Sequence, residues 1–246
     1  MKKVLSRFNL GDDYEVQARV LPAMLVVLPV AVLVAQIGMA KGNWLAMIGW
    51  GAGLEVVLSV LVSKVAHALG ARLQTRLENK WSGLPTHTWL RPTDESHSEQ
   101  QRKVWWKALL TLTGLDIAKA AFESDTAEID RVIADTVMIA RNKIKGNKKA
   151  ALMQKYNITF GFARNLAGMR WLTFVICLVC FGLSAWGNLR WGFETSGTII
   201  QLLFLVIAAV YFWLANGYVR HCAVRYAEFF FTAVTSIAGQ MEKGAR

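Results

Sequence analysis

Carboxylates are scarce in this sequence: 17 Asp and Glu stand against 28 Lys and Arg, which leaves a formal charge of +11. Cysteines number three, and prolines and histidines four each. Cys177 and Cys180 sit three apart inside one apolar run and Cys222 lies beyond another. That arrangement makes no disulfide framework and reads as small apolar residues in helices. His67, His87, His97 and His221 are scattered and supply no zinc spacing. No nucleophile elbow, P-loop, Rossmann glycine pattern, HExxH or kinase signature occurs. The chain is therefore not expected to be an enzyme, and no catalytic residue, metal ligand or cofactor is assigned. The run GWGAG at Gly49 to Gly53 superficially resembles a phosphate loop, but its apolar surroundings favour close helix packing. Strand alternation, internal repeats and low-complexity tracts are also missing.

Apolar residues are abundant. They make up 54% of the chain, and the mean hydropathy is +0.32 in spite of the net charge. That combination fits a membrane protein whose charges are segregated into loops. Ten tryptophans agree, because Trp prefers the membrane–water interface. Four stretches suit a bilayer crossing: Leu21 to Ile37, Trp44 to Val62, Trp171 to Gly187 and Thr198 to Ala215. Pro22 is tolerated at the start of the first, and Pro29 predicts a kink inside it. Residues 1–20 include Asp12, Asp13 and Glu15, a poor n-region for a secretory leader. The second stretch is interrupted only by Glu55, where an ionised side chain costs about 2.5–3.5 kcal/mol. No Lys or Arg lies within a span to pair with it. Glu55 reads either as a pore-facing or ion-binding carboxylate or as a protonated group bonded to a neighbouring helix.

Basic residues fix the expected orientation. Lys2, Lys3, Arg7 and Arg19 precede the first span, Lys41 and Arg190 are alone in the two short links, and Arg220, Arg225, Lys243 and Arg246 follow the last span. The segment from Ser63 to Arg170 carries eighteen. Both termini and the middle segment are expected in the cytoplasm of a bacterial cell, with the protein multi-pass in the inner membrane.

The middle segment is too long for a simple loop. Asp125 with Glu128 resembles a capping box ahead of IDRVIADTVMIAR, SEQQRKVWWKALLTL reads as a second helix, and TGLDIAKAAFE as a third, short one. Trp105, Trp106, Leu109 and Leu110 are available for packing. WSGLPTHTWLRPTDES, with Pro85 and Pro92, is rich in turn formers. After the fourth span, Asn216, Arg220, Arg225, Glu228, Thr232 and Thr235 make one polar stripe, so that span is expected to continue as a long helix into the cytosol. The fold class is thus an all-α membrane protein: four transmembrane helices, a helical cytosolic lobe between spans two and three, and a long cytosolic extension of span four. The expected divisions are 1–63 (N-terminal segment and spans one and two), 64–170 (lobe), 171–217 (spans three and four) and 218–246 (C-terminal helix).

Charge in the lobe is lopsided. Residues 141–170 hold Arg141, Lys143, Lys145, Lys148, Lys149, Lys155, Arg164 and Arg170 and no acid, whereas the rest of the segment is balanced. Arg164 and Arg170 are explained as basic flanks of span three. Arg141 to Lys149 lie further away. Three readings stay open for them: a phosphodiester ligand, lipid headgroups, or solvated topology. Tyr156, Phe160 and Phe162 are available either to stack bases or to pack.

Two stretches, WSGLPTHTWLRP at Trp81 to Pro92 and YNITFGFARNLAGMRW at Tyr156 to Trp171, resemble small four-span membrane effectors of bacterial nucleotide-signalled anti-phage defence, most closely the Hailong channel subunits. The resemblance covers these two motifs only. It implies an oligomeric ion channel whose cytosolic lobe binds single-stranded DNA oligomers and is held shut by them, with a nucleotidyltransferase acting as partner through its product. In another reading Gly161, Phe162, Arg164, Asn165 and Gly168 turn the chain and anchor span three at the headgroups.

The expected function is therefore an oligomeric channel or pore-forming effector, a tetramer or larger ring in the lipid bilayer, gated by a nucleotide or single-stranded DNA. Arg141, Lys143, Lys145, Lys148, Lys149, Lys155 and Arg164 are the expected ligand contacts and Glu55 the pore residue. The alternatives are a small ion-coupled transporter using Glu55 and a non-conducting membrane anchor for a partner enzyme.

Overall fold

The computed structural model describes residues 13–40, 44–123 and 125–244. Lys2, Lys3, Arg7, Asp12, Lys41 and Arg246, used above for orientation or as leader signals, lie outside the described residues. The described chain is all-helical, with no strand. A short turn, Asp13–Glu15, and a π-helical stretch, Val16–Val20, lead into α1 (Leu21–Ala40). Then come α2 (Trp44–Lys80), α3 (Pro85–Thr88), α4 (Glu99–Thr113), α5 (Ile117–Glu123), α6 (Thr126–Ile144), a 3₁₀ turn (Lys148–Ala150), α7 (Ala151–Gly168), α8 (Arg170–Trp191) and α9 (Thr195–Gly244). Four of these helical stretches are long and apolar enough to cross a membrane: those over residues 16–40, 55–88, 170–191 and 195–244. The chain forms two compact units, residues 1–75 with 158–219, and residues 76–157 with 220–246. The second unit thus takes in the C-terminal helix, while residues 64–75 and 158–170 belong to the first.

Small residues and a few buried polar groups organise the first unit. Val26, Ala66 and Met169 form one buried cluster, packed by Val62, Leu69, Leu166 and Ile176. Leu33, Cys180 and Phe193 form another with Val30. The segment GFARNLAG, offered above as a turn, is helical and makes a close-packed seam within α7. A Cβ at Gly161 would sit 2.9 Å from the Tyr14 hydroxyl and 3.0 Å from the Ala18 Cβ. One at Gly168 would meet the backbone of Leu69 and Gly70, and one at Gly70 would lie 2.9 Å from the Asn165 Cα and run into its amide oxygen. Asn165 is fully buried, and its Nδ2 donates to the Ala18 carbonyl at 2.6 Å. That carbonyl lies in the π-helical stretch, and side-chain insertion into a helix ladder is a recognised cause of such local rearrangement. Pro29 lies inside α1, and its carbonyl accepts from Gln201 Nε2 at 2.9 Å. A Cβ added at Gly53 would have nothing within 4 Å in the single chain, and the surroundings of the rest of the GWGAG run lie outside the described residues.

Helix caps and aromatic stacking build the second unit. Ser98 caps α4 by accepting from the Gln101 N–H, and Gly114 closes that helix at φ +80°. Asp125 accepts from the Glu128 N–H at 2.8 Å, the cap expected from the sequence. Trp105 stacks on Phe231 at 4.3 Å between ring centroids, and Trp89 stacks on both. Trp106 is buried and donates to the Leu90 carbonyl, while Leu110 is 39% exposed and contributes less to the interior than its position suggests. The last part of α9 buries Ala223, Ala227, Phe230, Phe231 and Val234, and exposes Arg225, Glu228 and Thr232.

Candidate anion-binding turn

The basic cluster is built around the end of α6. Ile133, Val137, Ala140 and Ile144 are buried, and this period fixes the opposite face toward solvent. Arg141 and Lys143 fall in the last turn, where cations also complement the exposed carbonyls of the helix terminus. Lys145 ends the helix, and Gly146 at φ +85° reverses the chain, a backbone state that favours glycine. The Asn147 side chain then accepts from the Lys149 N–H at 2.9 Å and starts the 3₁₀ turn that carries Lys148 and Lys149. Five cations are thereby presented on one helix end and one short turn. Arg141, Lys143, Lys145, Lys148 and Lys149 are all exposed. Lys143 Nζ donates to the Leu112 carbonyl at 2.9 Å, which ties it to α4. Among the described residues no carboxylate pairs with Arg141, Lys145, Lys148 or Lys149, whereas Arg91, Arg131, Lys103 and Lys107 of the same unit are paired with acids.

The remaining expected site residues have other surroundings. Lys155 is exposed in the second turn of α7 and has an interaction of its own. Arg164 belongs to the first unit, where its guanidinium bonds the Gln74 amide oxygen and reaches Asn165 Oδ1 at 3.4 Å. Arg164 thus falls in a different unit from the lysines. Tyr156 is stacked on Phe229 at 4.3 Å, and Phe160 is 7% exposed, so both rings serve packing. Glu55 is half-buried on α2, next to Val56 and Val57, which are 53% and 58% exposed.

A polar cavity escaped the sequence reading. It measures about 360 Å³, and Trp81, Ser82, Thr88, Trp89, Asp94 and Arg220 line it. Ser82 has φ +60°, held by Arg91, whose Nη1 donates to the Ser82 carbonyl at 2.6 Å. The same guanidinium grips both Asp130 carboxylate oxygens at 2.7 and 2.8 Å. The only signal in the sequence was the density of turn formers between Trp81 and Ser96. Close by, His87 lines a cavity of about 220 Å³ with Glu78, Arg91 and Asp130.

Among the described residues no group of His, Cys, Asp or Glu is arranged to hold a metal ion. Comparison with protein-family profiles, curated proteins and solved structures found no match.

Proposed function

We propose that this chain is the subunit of an oligomeric membrane channel or pore-forming effector, gated by a phosphate-rich ligand, a nucleotide or short single-stranded DNA, at the turn from Arg141 to Lys149. One observation carries the reading: among the described residues Arg141, Lys145, Lys148 and Lys149 are exposed without a carboxylate partner, and they follow one another on one helix end and the turn after it. Mutual repulsion makes such a cluster costly unless an anion occupies it. Each chain would offer four fully unpaired cations, and a ring of chains would multiply them. The distribution of basic residues supports a bacterial inner-membrane protein with both termini and the second unit in the cytoplasm. A tetramer or larger ring would let Glu55 face shared water rather than lipid. The resemblance of the two motifs to anti-phage effectors points to a signal made by a partner nucleotidyltransferase.

The test is binding of a short single-stranded DNA to the purified chain in detergent. With about 0.7 counterion released per phosphate contact, four contacts predict an affinity loss of about 50-fold between about 50 and 200 mM salt. A triple variant, Lys145→Glu, Lys148→Glu, Lys149→Glu, should lose the ligand while keeping its oligomeric state. A variant that binds as well as the wild type would remove the cluster from the function.

A further inference from the structure

An aromatic cavity in the first unit is not used by this reading. It measures about 270 Å³ and is lined by Trp171, Phe174, Ala209, Phe212 and Trp213, on two of the helices suited to crossing a membrane. Trp171 packs edge-on against Phe212 at 4.5 Å. The rings are nevertheless open outward, with Trp171 64% and Trp213 85% exposed. Arg170 precedes Trp171 in sequence and reaches one of the lining rings. Its guanidinium lies 5.2 Å from the Phe212 ring centroid, and its Nη1 donates to Asn216 Oδ1 at 2.8 Å. These contacts hold the cation against a ring that lines the cavity and leave its other side-chain N–H donors without a partner among the described residues.

We infer that Arg170 and this cavity form a binding site for one anionic phospholipid, with the phosphate on the guanidinium and part of an acyl chain between α8 and α9. Three features point to this occupant. Trp171 and Trp213 give the amphipathic rings that settle at headgroup depth. The lining is wholly apolar side chains, as a hydrocarbon chain requires. The positive charge held against the lining ring of Phe212 matches an anionic headgroup, the chemistry of basic pockets between membrane helices. At the opposite end of α8, Arg190 lies over the Trp186 indole, 5.5 Å from the ring centroid.

The site stands independently of the nucleotide reading. Its test uses the full chain, stripped of lipid in detergent and titrated with phosphatidylglycerol or phosphatidylcholine of identical acyl chains, with bound lipid counted by native mass spectrometry. The wild type should retain one phosphatidylglycerol per chain with about fivefold preference over phosphatidylcholine, the worth of one basic residue beside an anionic headgroup. Arg170→Gln should abolish that preference, and Arg170→Lys should keep most of it. Ala209→Phe, which fills the cavity, should reduce retention of both lipids although Arg170 remains. Unchanged preference in Arg170→Gln, or unchanged retention in a monodisperse Ala209→Phe protein, overturns the site. So does quantitative disulfide cross-linking of a Trp213→Cys variant in native membranes, since a second copy of the chain would then cover the cavity.

Discussion

Asn165 and Gly70 should be energetically coupled, and the coupling can be estimated from the structure. Asn165→Ala removes the donor to the buried Ala18 carbonyl, at a cost of about 2 kcal/mol, or about 30-fold in the unfolding equilibrium. Gly70→Ala places a methyl against the Asn165 amide oxygen and 2.9 Å from its Cα, an overpacking worth about 1–3 kcal/mol. In the double variant the amide is gone, and the added methyl presses only on the backbone of residue 165. The combined loss should therefore fall short of the sum by at least about 0.5 kcal/mol. Asn165→Asp should be worse than Asn165→Ala, since it sets a carboxylate oxygen against the Ala18 carbonyl in a buried site. The assay is a denaturant titration in mixed micelles, read by helical circular dichroism. Strict additivity of the two single variants, or an Asn165→Asp protein as stable as wild type, would refute the packing of this seam.

Other outcomes follow from the second unit and from the spans. Glu55→Gln should alter conductance or cation preference in a planar bilayer, and unchanged currents would leave Glu55 a packing residue. A cysteine at Arg190 should react with an impermeant thiol reagent in intact cells and one at Lys145 should not; the reverse labelling would invert the orientation.

Local signals made much of the helix content legible. Asp125 announces α6 as a cap, SEQQRKVWWKALLTL reads as the helix that becomes α4, and the apolar runs announce the four membrane-crossing candidates because length and hydropathy need no tertiary knowledge. The last span continues as one helix to Gly244, in which Arg225, Glu228 and Thr232 are exposed and Ala223, Ala227, Phe230, Phe231 and Val234 are buried. What stayed hidden depends on residues distant in sequence. Asn165 and Ala18 are 147 positions apart, so nothing near Asn165 reveals that it fastens the N-terminal stretch rather than a headgroup. Charge counting likewise grouped Arg164 with the lysines, although its guanidinium is engaged by Gln74, 90 positions away. Composition identified the basic turn; only the structure shows which of its cations lack acidic partners.

The central claim is that a phosphate-rich ligand on the Arg141–Lys149 turn controls a pore. Currents recorded from the reconstituted protein in a planar bilayer, before and after a short single-stranded DNA is added at low salt to the side carrying the turn, test it most directly. The account predicts that the oligonucleotide changes the open probability of the wild type, that raised salt reverses the change, and that the Lys145→Glu, Lys148→Glu, Lys149→Glu variant conducts without responding. A wild-type current indifferent to the oligonucleotide, or a variant that responds as the wild type does, would contradict it.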